Sequence, residues 1–311
     1  MRWICLIFFF CLPLASQVAA DAWTKPIETL ITSGNLAQAR HRLEEETVAR
    51  REDSRGLYLE ARILFEERRY AEALAVVQRA LAKVQTDAEL YKLAALTAIR
   101  MNRLDIAEPA LKTAAQLAPR DYLVHFHLGA LYYTKSLFVW AKTELEKAAA
   151  LNPGYMPALL FLGLTLEEVG DEKTTVATYR KAIEVGAAER TAREMPYIYL
   201  GRFYYRLNRF DEGLALLEKA VAMNPGSAEA LLELGKTLHA LKRDSEAAAA
   251  LERSAAADAR NPEPHYLLFR IFESEGREQA AQGELKRFQE LNRQKQTTDP
   301  ARRRLQSASA Q

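Results

Sequence analysis

Glycine returns along this chain at a fixed interval, and that interval constrains the fold more than any single motif. Gly129 lies in "HLGALYY", Gly163 in "FLGLTLE", Gly201 in "YLGRFYY" and Gly235 in "ELGKTLH", with gaps of 34, 38 and 34 residues. Steps of 34 lead back to Ala95 and Ala61 and forward to Phe269, so small residues fill six of the seven points. A second column, twelve residues later, holds Ala39, Ala73, Ala107, Ala141, Thr175, Gly213, Ala247 and Ala281. Four residues beyond each comes a large apolar side chain: Leu43, Val77, Leu111, Leu145, Tyr179, Leu217, Leu251 and Leu285. Pro119, Pro153 and Pro225 form a further column. Self-similarity at this period predicts a repeat architecture, in which each unit buries its apolar face against its neighbours.

Each unit reads as two short amphipathic helices, with apolar residues three and four apart. In 122–155 the first helix offers Leu128, Leu131 and Tyr132, and the second offers Ala141, Leu145 and Ala148. The small columns let two helix backbones approach closely, and a leucine there would overpack the pair at ~1–3 kcal/mol. "LNPG" (151–154) and "MNPG" (223–226) are expected to end second helices. Their proline lacks an N–H, and their glycine tolerates positive φ. Pro157, Pro196 and Pro264 fall where first helices begin, a position that accepts proline. The gap of 38 places four extra residues at 190–193, in a unit that also carries Thr175 and Ala187 in place of the usual small residue and proline. They are expected either to lengthen a connection or to bend the stack and shape a groove.

The first twenty residues are different in kind. "MRWICLIFFFCLPLASQVAA" has one charge, Arg2, then an apolar run from Trp3 to Leu12, Pro13, and small residues at Val18-Ala19-Ala20. This predicts a signal peptide over 1–20, cleaved after Ala20. The run is shorter than the roughly 20 residues a membrane span needs, so no stable span is expected after cleavage. Cys5 and Cys11 both lie inside it, so the mature chain would carry no thiol. The chain has no N-x-[ST] acceptor site either, which fits a bacterial-type exported, periplasmic or extracellular protein.

No catalytic motif is present. His125 and His127 are two apart on one helix and diverge, so they cannot share a metal. There is no H-E-x-x-H, phosphate loop or G-x-S-x-G. Lys plus Arg is 43 against 41 for Asp plus Glu, a net charge of +2 with no basic stripe for nucleic acid. Neither an enzyme nor a cofactor is expected.

The columns together resemble the tetratricopeptide repeat, W-x2-L-G-x2-Y…A-x3-F…P. Trp23 falls in its tryptophan column, and Tyr132 and Tyr204 in its tyrosine column. The resemblance implies an all-α, right-handed superhelical solenoid of about eight helix-turn-helix units over 21–295. The units run 20–53, 54–87, 88–121, 122–155, 156–193, 194–227, 228–261 and 262–295, with a disordered polar tail at 296–311. It further implies a concave groove lined by the first helices, taking an extended or helical segment of another protein.

Carried onto this chain, the groove residues are Tyr58, Arg62, Phe65, Phe126, Tyr133, Arg202, Tyr205, Lys236, Tyr266 and Arg270. Its basic members face no acid in their own column, which predicts an apolar N-terminal half and a basic C-terminal half. The family's carboxylate-gripping Lys-Asn pair is not reproduced, because Lys92 is followed by Leu96 in the asparagine column. The expected role is a non-catalytic interaction scaffold. The rivals are an envelope assembly factor tethered by an uncleaved N-terminus, and a small-ligand binder or enzyme using the groove.

Overall fold

The computed structural model describes residues 14–188 and 194–298. The apolar run of the expected signal peptide, both cysteines, the insertion at 190–193 and the chain beyond 298 lie outside the described residues. Within them are seventeen α-helices and no strand, as the all-α expectation requires. They form two compact units that divide between Asn152 and Pro153.

The first unit holds α1 (Leu14–Thr32), α2 (Leu36–Glu44), α3 (Val48–Arg51), α4 (Ser54–Glu66), α5 (Tyr70–Lys83), α6 (Ala88–Arg100), α7 (Leu104–Leu117), α8 (Tyr122–Thr134) and α9 (Phe138–Leu151). The second holds α10 (Met156–Val169), α11 (Glu172–Ala188), α12 (Met195–Arg206), α13 (Phe210–Met223), α14 (Ala228–Ala240), α15 (Asp244–Ala257), α16 (Glu263–Ser274) and α17 (Glu278–Thr298). In each unit successive helices pack as antiparallel hairpins, and each hairpin packs on the next. The helix α1 crosses the expected cleavage bond after Ala20 without a break. The helix α11 has 17 residues where α9, α13 and α15 have 14, so part of the extra length is helical.

Local chemistry sets the helix starts. Asp53, Asp87, Asp121 and Ser227 cap α4, α6, α8 and α14 by accepting from backbone N–H groups of the first turn. Proline opens α10, α12 and α16, where its missing donor costs nothing.

The helix pairs are joined by one turn used eight times. Gly34, Arg68, Asn102, Ser136, Gly170, Asn208, Lys242 and Gly276 all have positive φ, between 57° and 82°. Each donates its N–H three residues back, and the next residue donates five back, as in Asn35 N to Leu30 O at 2.9 Å and Arg243 N to Leu238 O at 2.9 Å. Those two bonds are the Schellman closure of a helix. Arg68, Ser136 and Lys242 hold the left-handed conformation at ~1–2 kcal/mol each relative to glycine. The glycines of the two NPG joints do not have positive φ, contrary to expectation. There the helix ends because proline supplies no donor, and Asn224 Oδ1 accepts from Gly226 N at 3.3 Å.

The small columns mark backbone contact. A Cβ on Gly129 would lie 2.6 Å from Leu145 Cγ, one on Gly235 2.6 Å from Leu251 Cγ, and one on Gly163 2.2 Å from Tyr179 Cε1. The ends depart from the pattern. The helix α2 has nine residues, and α3 folds back so tightly that a Cβ on Gly56 would meet the Arg50 carbonyl at 2.1 Å. In the last pair Phe288 takes a place that is alanine or serine from Ala80 to Ser254, and it stacks on Tyr266 with ring centroids 5.2 Å apart.

Candidate functional site

The groove expectation names side chains on first helices, and the structure sorts them into four groups. Tyr58 and Phe126 are buried, not displayed. Tyr58 carries the guanidinium groups of Arg55 and Arg62 over its ring at 5.6 and 5.9 Å. Phe126 packs on His127 at 5.0 Å.

The next three aromatics clasp their own turn. Phe65 meets Tyr70 at 5.6 Å, Tyr133 meets Phe138 at 5.7 Å, and Tyr205 meets Phe210 at 5.5 Å. Each partner is five residues later, at the start of the second helix. In the same place of the 228–261 unit His239 Nδ1 lies 2.6 Å from Asp244 Oδ1. These side chains are half-buried, and in each unit their partners fix them at the turn.

Two of the basic residues are ion-paired, which corrects the expectation of a basic half. Arg202 reaches Glu229 at 3.4 Å, and Lys236 reaches Glu263 at 2.6 Å and Glu233 at 3.1 Å. The acid sits 27 residues on, which is one repeat less two helical turns, so a search within one column does not find it. Burial works against the Lys236 ammonium, but Glu233 and Glu263 outweigh it and hold its pKa above the ordinary value. Burial pushes the Glu229 carboxyl up. Lys92 is likewise held, by Glu89 and Asp121 at 2.7 Å each, so it has little left to offer a carboxylate ligand.

Tyr266 belongs partly to the end cap described above and is 38% exposed. Arg62 and Arg270 are the two groove cations that make no ion pair among the described residues. Arg270 follows the spacing that gives Arg202 and Lys236 their acids. Its own acid would stand at 297, where the chain has Thr297 in α17.

Two further polar clusters are built on buried side chains, Glu167 and His125. In the second unit Glu167 accepts from the Tyr179 hydroxyl and from Arg206 Nη1, the latter at 2.6 Å. Burial raises the pKa of both Glu167 and Tyr179. In the first unit His125 Nδ1 lies 2.6 Å from Glu144 Oε2 and its Nε2 3.0 Å from the Pro119 carbonyl. His265 pairs with Glu284 at the same separation in sequence, at 2.6 Å. In the other six units neither position holds histidine or glutamate, so this is an exchangeable packing pair. Among the described residues no group of three or more His, Cys, Asp or Glu is placed to hold a metal. No helix there is long and apolar enough to cross a membrane.

His127 has a measurable consequence. Burial of the ring, with Lys92 beside it, lowers its pKa from 6.5 to about 4. The unfolded chain therefore binds a proton between those values that the folded chain refuses. Stability is complete above 6.5 and declines as pH falls towards 4, by roughly 2–3 kcal/mol. Urea unfolding at pH 7 and pH 4.5 is expected to show a smaller acid loss in His127→Gln than in the wild type. Equal losses would place the titration elsewhere.

With the geometry in place, comparison with known proteins gives a consistent picture. Two profiles, both of the tetratricopeptide repeat, match residues 28–88 and 92–139 in one case and 204–271 in the other, together more than half of the chain. The chain is 26% identical over 151 residues to the anaphase-promoting complex subunit CDC16 of Saccharomyces cerevisiae, covering 44% of this chain and 18% of that protein. It is 30% identical over 87 residues to the cell division cycle protein 27 homolog of Caenorhabditis elegans, covering 28% and 11%. A third match, 27% over 119 residues, is the probable UDP-N-acetylglucosamine–peptide N-acetylglucosaminyltransferase SPINDLY of Hordeum vulgare, covering 36% and 12%. The chain thus spans less than a fifth of the length of these curated relatives. In fold it is similar to a chain of the APC/C hetero-tetramer Cut9–Hcn1, with a TM-score of 0.62, 17% identity, and 79% of this chain and 48% of that one covered. It is also similar to the C-terminal part of a repeat protein from Cytophaga hutchinsonii, with a TM-score of 0.59, 16% identity and 78% and 97% covered.

Proposed function

The chain belongs to the tetratricopeptide repeat proteins, and from that premise we propose that it is a non-catalytic docking scaffold of an exported, periplasmic compartment. Its first helices receive an extended or helical segment of another protein. The observation that carries this reading recurs in each unit by itself: Arg62 and Tyr133 on first helices of the first, Tyr205 and Arg270 on first helices of the second. The tyrosines are half-buried and pinned by Phe138 and Phe210. The two arginines carry no ion pair among the described residues. Aromatic and arginine side chains dominate binding hot spots, and those already fixed lose little entropy on binding. A partner with an aliphatic or aromatic anchor next to a carboxylate would suit them. Transferase chemistry is not carried over from a match that spans 12% of SPINDLY.

The expected result is that Arg62→Ala/Tyr205→Ala/Arg270→Ala keeps its helical circular dichroism and loses the partner recovered by crosslinking from the native compartment. Recovery of the same partner in the same yield would remove these residues from the site.

One observation favours a second reading, that of a tethered envelope assembly factor. The helix α1 runs from Leu14 to Thr32 straight through the expected cleavage point. Mass spectrometry of the protein from its native compartment separates the two. A chain starting at Asp21 supports the exported scaffold, and one starting at Met1 supports the tether.

A further inference from the structure

Three of the eight turns lack the arginine that the other five carry, and one of the three, at Leu137, replaces it with an apolar residue. At the residue after the positive-φ position, five turns carry arginine: Arg69, Arg103, Arg209, Arg243 and Arg277. Each pairs with a carboxylate two or three residues away, such as Glu72, Glu212 or Glu246. The turn between α8 and α9 has Leu137 there, followed by Val139 and Trp140. Trp140 stands where Glu72, Glu212 and Glu246 stand in other units. Leu137 is 39% exposed, Val139 73% and Trp140 62%.

These side chains are held, not loose. The Trp140 ring lies 6.4 Å from the ring of buried Tyr132, and Phe138 is locked on Tyr133. The exposed apolar area is on the order of 300 Å², the scale on which an apolar patch on a monomer is commonly functional. We propose that this edge is a self-association surface, against which a second copy of the chain docks its own Leu137, Val139 and Trp140.

Charge selects that occupant. Within the first unit, charged residues of this turn, of the preceding turn and of α7 and α9 form closed ion pairs: Lys135 and Lys112 on Glu108 at 2.5 and 2.7 Å, Arg103 on Asp105 at 2.8 Å, and Lys142 on Glu146 at 3.8 Å. Nearly balanced signs give no field to draw an acidic or basic partner, or an anionic bilayer. A surface that meets its own image must lack such a field, since like charges would face each other across the two-fold axis. The patch is well under the ~800 Å² per partner of a stable interface, so the contact is weak and concentration-dependent.

The test uses the full chain alone, by sedimentation velocity over roughly 5–500 µM. The expected result is a monomer–dimer equilibrium with a dissociation constant on the order of 100 µM, accompanied by a blue shift of tryptophan emission that is absent in Trp140→Phe. Val139→Glu is expected to abolish the dimer with unchanged circular dichroism and melting, because the side chain is exposed. Arg62→Ala/Arg270→Ala is expected to leave it intact. A monomer throughout the range, or a dimer indifferent to Val139→Glu, overturns the proposal. So does a blue shift of the monomer on phosphatidylcholine vesicles at low protein concentration that Val139→Glu abolishes, which would assign the edge to lipid.

Discussion

Gly163→Leu is expected to lower the stability of the second unit by about 3 kcal/mol or more, at the upper end of overpacking costs. The first added carbon already lies 2.2 Å from Tyr179 Cε1, and the ring has no free side to move towards. Tyr179 is fully buried, and its hydroxyl is held by Glu167. At Gly129, Gly201 and Gly235 the obstructing atoms belong to leucine, which can change rotamer. The same substitution there should cost less. Gly283 is the control, a helical glycine in α17 with nothing within 4 Å of an added Cβ. Gly283→Ala should instead stabilise by about 0.5–1 kcal/mol through helix propensity alone. Thermal and urea unfolding followed by circular dichroism reads both. A Gly163→Leu variant as stable as the wild type would refute close approach at this position.

The second large effect concerns the polar group that accompanies that ring. Tyr179 stands where sister units have Leu145, Leu217 and Leu251. A buried hydroxyl needs a partner, and Glu167 provides it from 2% exposure of its own side chain. Glu167→Leu leaves the hydroxyl unsatisfied, at about 1–3 kcal/mol. Arg206 is 51% exposed and returns to water at little cost. Tyr179→Leu alone strands a buried carboxylate with Arg206 only. Glu167→Leu/Tyr179→Leu removes both polar groups and restores the leucine of the sister units. The double variant should therefore be more stable than either single one, with a coupling of roughly 1–3 kcal/mol. Additive losses in this cycle would show that the two side chains are not a unit.

The two cases show what a single chain reveals and what it hides. Gly163 was legible because small residues recur at one position, and the approach of two backbones leaves that mark in every unit. Glu167 was not, since a tyrosine in a leucine column reads as another large apolar residue. Its need for a partner appears only once α10 and α11 are seen to face each other. The eight turns were hidden for a different reason. Five of them use Arg68, Asn102, Ser136, Asn208 and Lys242 for a conformation that glycine would advertise. The residues expected to line a groove fared in between. They lie on first helices, but Arg202 and Lys236 find their acids 27 residues away, across the stagger of neighbouring helices. That stagger is a property of packing, and a column of letters does not contain it.

The joint between paired helices carries a last implication, for how such a chain tolerates change. Its geometry is written in backbone hydrogen bonds, so residues as unlike as glycine, lysine and asparagine execute it equally. Length added elsewhere leaves it intact, as the step from Gly170 to Asn208 illustrates with four more residues than the rest. A cut made at equivalent joints of two units should thus yield ends that match in direction and in hydrogen bonding. The chain carries eight built-in splice points for recombination, and they lie where its sequence is most free to drift.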